Sequence, residues 1–393
     1  MHRIWNKHKS SLDKARGKNT PPKPKVFVGL SGGVDSSVAA YLLKRQGYET
    51  IGVHLRCWNV EGCDDREAED ARRVAEAIGI PFYVFNLEKE YKERVVDYMI
   101  EGYRLGITPN PDVMCNKEIK FGLFLEKALA SGADYVATGH YVKIQTSKFS
   151  AKSGSLPAAG KSQNGDSKPE VVYKLFQAKD RNKDQSYFLW TLGQEQLKHC
   201  LFPIGGYLKS EVRAIARRAG LPTAEKKDSQ GICFLGKITL KDFLSAYLPE
   251  SEGKILTPAG EVIGSHRGYQ YYTIGQRRGF GLAHGKPYYV AEKNATRNTL
   301  VVAEGDENPL LYRKEIAIGG ANFIGRGPNS RSNHKVLARL RYRQPLSEAG
   351  LFQSGEDLFK LSFKKPQKFV APGQSAVFYS PRGEMLGGGV ITG

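Results

Sequence analysis

The sequence predicts an α/β protein whose first domain is a doubly wound parallel sheet, followed by a small central domain and a C-terminal antiparallel β-barrel. Three observations predict it. Apolar, β-rich runs alternate with helical stretches from Lys25 to about Thr138, the order that builds parallel sheets with helices on both faces. A glycine-rich turn sits directly between the first such run and the first helix. After about Gly236 the chain changes to short β-rich runs broken by glycines, as small antiparallel sheets and barrels require.

Taken in order, residues 26–30 read as a strand and 36–46 as a helix, which stops at Gly47, a residue suited to the position just past a helix end. Strand and helix follow again at 50–55 and 64–78, and at 82–87 and 89–105, and a short strand at 134–137 leads into Thr138-Gly139-His140-Tyr141. Residues 145–170, rich in Ser, Gly, Lys and Pro, read as a mobile insertion at the tip of a hairpin that pairs 141–145 with 171–177. Residues 194–220 read as helical, interrupted at Pro203, and 253–285 are rich in Gly and Tyr. Runs at 316–318, 336–343, 361–363 and 376–379 supply the barrel. The expected division is a basic tail 1–24, a first domain 25–236 carrying the insertion, a central domain 237–305 and a barrel domain 306–393.

The chain of 393 residues carries 59 Lys and Arg against 40 Asp and Glu, a formal net charge of +19. Residues 1–25 hold eight basic side chains and one acid, a net +7 that leaves +12 on the rest. An excess of that size on the body favours a polyanionic partner, a nucleic acid first among them. No apolar run approaches the roughly 20 residues that span a bilayer, and the N-terminus lacks a secretory apolar core. A cytoplasmic protein without a membrane is therefore expected, with the mitochondrial matrix as the alternative suggested by the basic tail. Five cysteines, an odd number in a chain of this size, argue against a disulfide framework, and Cys57 and Cys63 lack a second pair at zinc spacing. No residues are assigned to a metal.

The turn is Leu30-Ser31-Gly32-Gly33-Val34-Asp35-Ser36-Ser37. Two glycines let the backbone present successive N–H groups to an anion, the following helix adds its positive dipole end, and three serines add hydroxyls. No Gly-Lys-Ser/Thr follows, so it is not a Walker A loop. SGGxDS resembles the PP-loop of the N-type ATP pyrophosphatases, enzymes that split ATP between the α and β phosphates and hand AMP to a carbonyl oxygen.

Cys115 lies in the Pro-fixed stretch Thr108-Pro109-Asn110-Pro111-Asp112-Val113-Met114-Cys115, with a helical pattern beginning just after it. Two readings stand: a thiol biased towards thiolate by a helix N-terminus, or a small buried hydrophobe. Cys233, in Asp228-Ser229-Gln230-Gly231-Ile232-Cys233, is as ambiguous alone, but two loop thiols beside an AMP-forming loop suggest sulfur transfer. Asp112 reads either as an acid or base or as a loop-capping Asx turn. Arg339, Arg341 and Arg343 alternate with apolar residues, which puts three guanidiniums on one strand face: a phosphate-tracking stripe or a solvated face.

Nearly the whole chain from Lys25 onward resembles the tRNA-specific 2-thiouridylases of the MnmA type. The residues that carry this are GLSGGVDSSVAA at Gly29, TPNPDVMCNKEIKF at Thr108, ATGHY at Ala137, KDQSYFL at Lys183, DSQGICF at Asp228, YTIGQRRG at Tyr272 and RYRQ at Arg341. The resemblance implies replacement of O2 of the wobble uridine by sulfur in tRNAs for Lys, Glu and Gln, because AMP transfer turns a poor leaving oxygen into a good one. It implies ATP on Gly29, Leu30, Ser31, Gly32, Gly33, Val34, Asp35 and Ser36, with Leu55 and Gly139 near the nucleotide and Mg²⁺ on the phosphates.

By the same resemblance Cys233 carries a persulfide from a sulfur-donor protein and Cys115 is the nucleophile that resolves it. Sulfur attacks either as the persulfide or as sulfide released by Cys115, and the resulting Cys115 to Cys233 disulfide needs a reductant. Asp112 acts as acid or base or meets the target base with Asn110 and Pro111. His140, Lys183, Asp184, Gln185, Arg341, Tyr342 and Gln374 are the implied tRNA contacts. Two other functions remain in view: a different PP-loop synthetase or amidotransferase, in which both cysteines are bystanders, and a non-catalytic tRNA-binding protein with a degenerate loop.

Overall fold

The computed structural model describes residues 22–59, 64–149, 170–227, 231, 233–236, 238–281, 286–325, 327 and 333–392. Most of the basic tail, Cys63, residues 150–169 of the insertion and the side chain of Cys233 lie outside the described residues.

The first sheet is built from β1 (Lys25–Gly29), β2 (Glu49–Arg56), β3 (Phe82–Asn86) and β4 (Tyr135–Ala137). After the hairpin strands β5 (Val142–Phe149) and β6 (Glu170–Gln177), the two-residue β7 (Cys200–Leu201) completes it. The order is β3-β2-β1-β4-β7, all parallel. Val26, Phe27 and Val28 of β1 are buried, as in a sheet covered on both faces. One layer is α1 (Val34–Arg45) with α2 (Asp64–Ile78), whose Val38, Ala39, Leu43, Ala71 and Val74 join a core with Val26 and Val28. The other face packs Phe27 and Val53 against Phe121, Phe124 and Leu125 of the helical run 111–130. The strand order reverses beside β1, between β2 and β4, and the crevice at such a reversal is where open α/β sheets bind ligands.

A four-stranded sheet follows: β8 (Gly253–Leu256), β9 (Val262–His266), β10 (Tyr288–Asn294) and β11 (Thr299–Glu304), in the order β10-β11-β8-β9. The C-terminal barrel contains β12 (Tyr312–Phe323), β13 (His334–Arg339), β14 (Ser347–Gln353), β15 (Leu358–Lys368), β16 (Ser375–Tyr379) and β17 (Glu384–Ile391). Its antiparallel strands run β12-β15-β14-β13-β16-β17, and β12 pairs with β17 to close it. The β5–β6 hairpin pairs as expected, with Gln145 opposite Lys174, and β6 also adds to β17 of the barrel at Leu175 and Met385.

Two expectations are corrected. Residues 194–220 are not one interrupted helix: a single turn at Gln194–Leu197 leads into β7, and the longer helix is Lys209–Arg218. The strand expected at 336–343 ends at Arg339, and Arg343 takes a φ of 64°, so the three arginines do not share a face.

Candidate active site at the switch of the parallel sheet

The turn after β1 has the shape of an anion cradle. Gly32 has a φ of 68°, and a Cβ there would lie 2.6 Å from the Glu67 carbonyl oxygen, so glycine alone lets α2 pack this closely. Gly33 is the N-cap of α1 and offers no side-chain cap to the first-turn N–H groups, which is the donor set a phosphate would satisfy. The serine hydroxyls mostly fold the loop: Ser36 Oγ accepts from Ser31 N at 3.2 Å and donates to the Gly33 carbonyl at 3.1 Å. Ser37 Oγ donates to the same carbonyl at 2.7 Å and accepts from Thr223 Oγ1 at 2.9 Å. Leu30 and Val34 are buried, so they bring backbone rather than side chain to the turn, while Ser31 is exposed. Asp35 receives the Tyr141 hydroxyl at 2.8 Å and Lys209 Nζ at 2.8 Å from each of its oxygens. Tyr141 and Lys209 escaped the sequence reading because they come from distant segments.

The turn after β4 touches this cradle. A Cβ on Gly139 would lie 2.6 Å from Ser36 N, so the absence of a side chain lets Thr138-Gly139-His140 lie on the start of α1. His140 is buried, bonds Thr138 Oγ1 through Nδ1 at 2.8 Å, and sets its ring 5.9 Å from that of Phe121, tilted against it. Burial, reinforced by the charge of Lys120, holds its pKa well below the usual histidine value.

Phe121 belongs to the helical run that carries Cys115. Asn110 caps Pro111–Met114 by accepting Val113 N at 3.3 Å, with Pro111 in the first turn where its missing N–H costs nothing. The run continues as a π-helix, Cys115–Leu123, and then as Phe124–Ala130. Such π segments are frequent at functional sites. The helix therefore starts four residues before Cys115, not after it, and the buried Cys115 packs in a cluster with Ile119, Tyr91, Phe234 and Leu235. Leu55, at the end of β2, packs against that cluster too, and so does Cys57. Phe234 and Leu235 continue the short turn Cys233–Leu235, which brings the Cys233 backbone to the same core. Asp112 is half-buried; burial raises its pKa and the Lys120 charge partly offsets this. Cys200, by contrast, is buried with its Sγ 3.1 Å from the Gln196 carbonyl, and burial pushes its pKa up.

Most of the other residues expected at tRNA bond within the protein. Asp184 is 1 % exposed: it pairs with Arg339 at 3.1 Å and accepts from Gln177 Nε2, Ala178 N and Ser186 N. Gln185 Oε1 accepts Tyr141 N at 2.9 Å, and Lys183 is half-buried beside it. Arg341 donates to the Ile274 and Phe369 carbonyls at 2.9 and 2.8 Å, tying the barrel to the connection between β9 and β10. Gln374 Nε2 donates to the Thr108 and Pro109 carbonyls at 2.9 and 3.1 Å, while Thr108 N donates to the Pro372 carbonyl at 2.8 Å. Those contacts clip the loop before Cys115 to the barrel. Tyr342 lies 4.5 Å from the Phe188 ring and under Arg343. Among the described residues no group of three metal-binding side chains occurs, and no helix is long and apolar enough to cross a membrane.

Comparison with known proteins bears on the whole chain. Residues 24–237 match the tRNA methyl transferase HUP domain, 241–304 the tRNA methyl transferase PRC-barrel domain, and 313–391 the aminomethyltransferase beta-barrel domain. The tRNA-specific 2-thiouridylase MnmA of Methylobacillus flagellatus is 44% identical over 380 residues, covering 94% of this chain and 99% of its own. That of Halalkalibacterium halodurans is 45% identical over 378 residues, covering 94% and 95%. With identity of that level along nearly its full length, and the cradle and the buried cysteine in place, this chain belongs to the tRNA-specific 2-thiouridylase MnmA family.

Proposed function

We propose that the protein is a tRNA-uridine 2-sulfurtransferase that adenylates the C2 oxygen of the wobble uridine and then replaces it with sulfur. The observation that carries this is the turn Thr138-Gly139-His140, which touches the phosphate cradle through Gly139 and the Cys115-bearing helix through His140 and Phe121. The cradle and the Cys115-bearing helix thus both pack on one turn, which supports a reading of adenylation followed by sulfur attack at neighbouring positions.

In this reading the ATP phosphates would rest on the first-turn N–H groups of α1, and Lys209, which bonds Asp35 in that turn, would follow the departing pyrophosphate. Mg²⁺ would come bound to the triphosphate, with Asp35 as the carboxylate at hand, and would neutralise phosphate charge. The uridine O2 attacks the α-phosphorus and pyrophosphate leaves. The terminal sulfur of a Cys233 persulfide then bonds to C2 and AMP leaves; the Cys115 thiolate attacks the Cys233 sulfur, the S–S bond breaks, and its electron pair stays on the base as the C=S sulfur. A dithiol reductant from outside the chain must reopen the Cys115 to Cys233 disulfide, and a sulfur-donor protein must reload Cys233. Release of free sulfide by Cys115 before attack is the variant route.

The test is mass analysis of nucleosides from tRNA incubated with protein, ATP, Mg²⁺ and a persulfide donor. The expected product is 2-thiouridine with one AMP per base, and none from Cys115→Ser or Cys233→Ser, both of which still bind tRNA. AMP without a thiolated base would assign a different PP-loop reaction, and full activity in either serine variant would remove the two-thiol mechanism.

A further inference from the structure

Asn116, next to the proposed nucleophile, is 3% exposed, and its Oδ1 is a buried acceptor with no hydrogen-bond partner among the described residues. Native folds pair nearly all such atoms, so an orphan beside a reactive group calls for a donor that arrives later. The amide's orientation is set by its other end. Nδ2 donates to the Asp112 carbonyl at 2.9 Å, so a flip would set two oxygens against each other. Asp112 and Asn116 are four apart along this helical run, Asp112 in its first turn and Asn116 at the start of the π segment, directly after Cys115.

We propose that Asn116 reads the target base by accepting the imide N3–H of uracil on Oδ1; this rests on the sulfurtransferase reading above and deepens it. Within a nucleoside, uracil carries a single N–H, at N3, directly beside the C2 oxygen that must be activated. An acceptor held there fixes the ring edge and keeps O2 free to attack phosphorus. Cytosine presents a bare N3 at the same place, acceptor against acceptor, so the one atom that orients uridine also rejects cytidine. A site built to bond a particular N–H discriminates strongly against analogues lacking it, because its own buried atom is then left unpaired. The role is invisible in the backbone bond made by Nδ2, which accounts for only half of the amide.

The experiment uses the full chain with tRNA bearing either uridine or N3-methyluridine at the wobble position, and compares wild type with Asn116→Ala and Asn116→Gly. The wild type should thiolate uridine and reject N3-methyluridine, whose methyl group replaces the donated proton. Each variant should lose about ten- to a hundredfold in kcat/KM on uridine at unchanged tRNA affinity. The preference for uridine over N3-methyluridine should fall at least about tenfold, since truncation removes the acceptor and opens room for the methyl group. That ratio is unaffected by a partly unfolded sample. An unchanged ratio in both variants, with wild type active on uridine, overturns the assignment of Asn116 alone. A wild type that thiolates neither tRNA overturns the sulfurtransferase reading and this assignment with it.

Discussion

Asp35 and Asp184 both hold a cation, and the two pairs are built for opposite ends. Asp35 and Lys209 meet at 2.8 Å with side chains 31% and 14% exposed, at the mouth of the phosphate cradle. Asp184 and Arg339 meet at 3.1 Å with side chains 1% and 6% exposed, where the first domain abuts the barrel, and Arg339 also covers the Tyr379 ring. Three further donors from Gln177, Ala178 and Ser186 fill the remaining lone pairs of Asp184. A pair in contact with water can exchange its partner for a ligand at little cost, whereas opening a buried one strands a charge. Proximity of an aspartate to a family signature therefore says little about what it does; burial separates ligand chemistry from architecture.

The sharpest test of that contrast is Asp184→Ala, expected to lower the unfolding free energy by about 3–5 kcal/mol in urea denaturation, because Arg339 is left buried and unpaired. A loss as small as that of a surface pair would erase the distinction. Lys209→Met should leave stability within about 1 kcal/mol while tRNA-dependent AMP formation falls about a hundredfold, measured by nucleotide chromatography. If it instead destabilised as much as Asp184→Ala, the cradle pair would be architectural too.

Gln374→Ala probes the clip between the barrel and the Cys115 loop. Thiolation kcat should fall about tenfold, since loop misplacement by a fraction of an ångström is costly, with tRNA affinity unchanged. A weakened tRNA affinity at constant kcat would make Gln374 an RNA contact instead. A pH-dependent effect concerns His140, whose depressed pKa means that the unfolded chain takes up a proton before the folded one does. Stability should therefore be full above about pH 6.5 and fall as pH drops towards the folded pKa, by up to about 1.4 kcal/mol per pH unit. In His140→Gln that slope should shrink; an identical slope in urea titrations at pH 6.5 and 5 would assign the acid sensitivity to other groups.

Local features were legible in the sequence. The cradle at residues 30–37 and the turn at 138–140 could be read because glycine and serine act there through the backbone of the same few residues. The parallel sheet was legible from its alternation, except for β7, whose two residues are too few to show any period. The arginine stripe failed because alternation was extended through Arg343, whereas the strand ends at Arg339 and the guanidiniums of Arg339 and Arg341 turn inward to Asp184 and to backbone carbonyls. Lys209, Tyr141 and the Gln374 clip were out of reach for a different reason. Each depends on a contact between segments remote in the chain, the clip spanning 266 positions, and no local pattern encodes such a meeting.

The hairpin that joins the barrel has a consequence for how the protein is made. Lys174 of β6 meets Glu384 of the last strand across 210 positions. At ordinary ribosomal speeds, about 5–20 residues per second, β6 would emerge roughly 10–40 s before the strand that covers its outer edge. During that interval a growing chain displays an unpaired edge, the kind of surface that recruits neighbouring chains. Nascent chains stalled short of β17 should accordingly be preferred clients of chaperones, and premature stop codons late in the message should yield aggregates rather than a soluble adenylating domain.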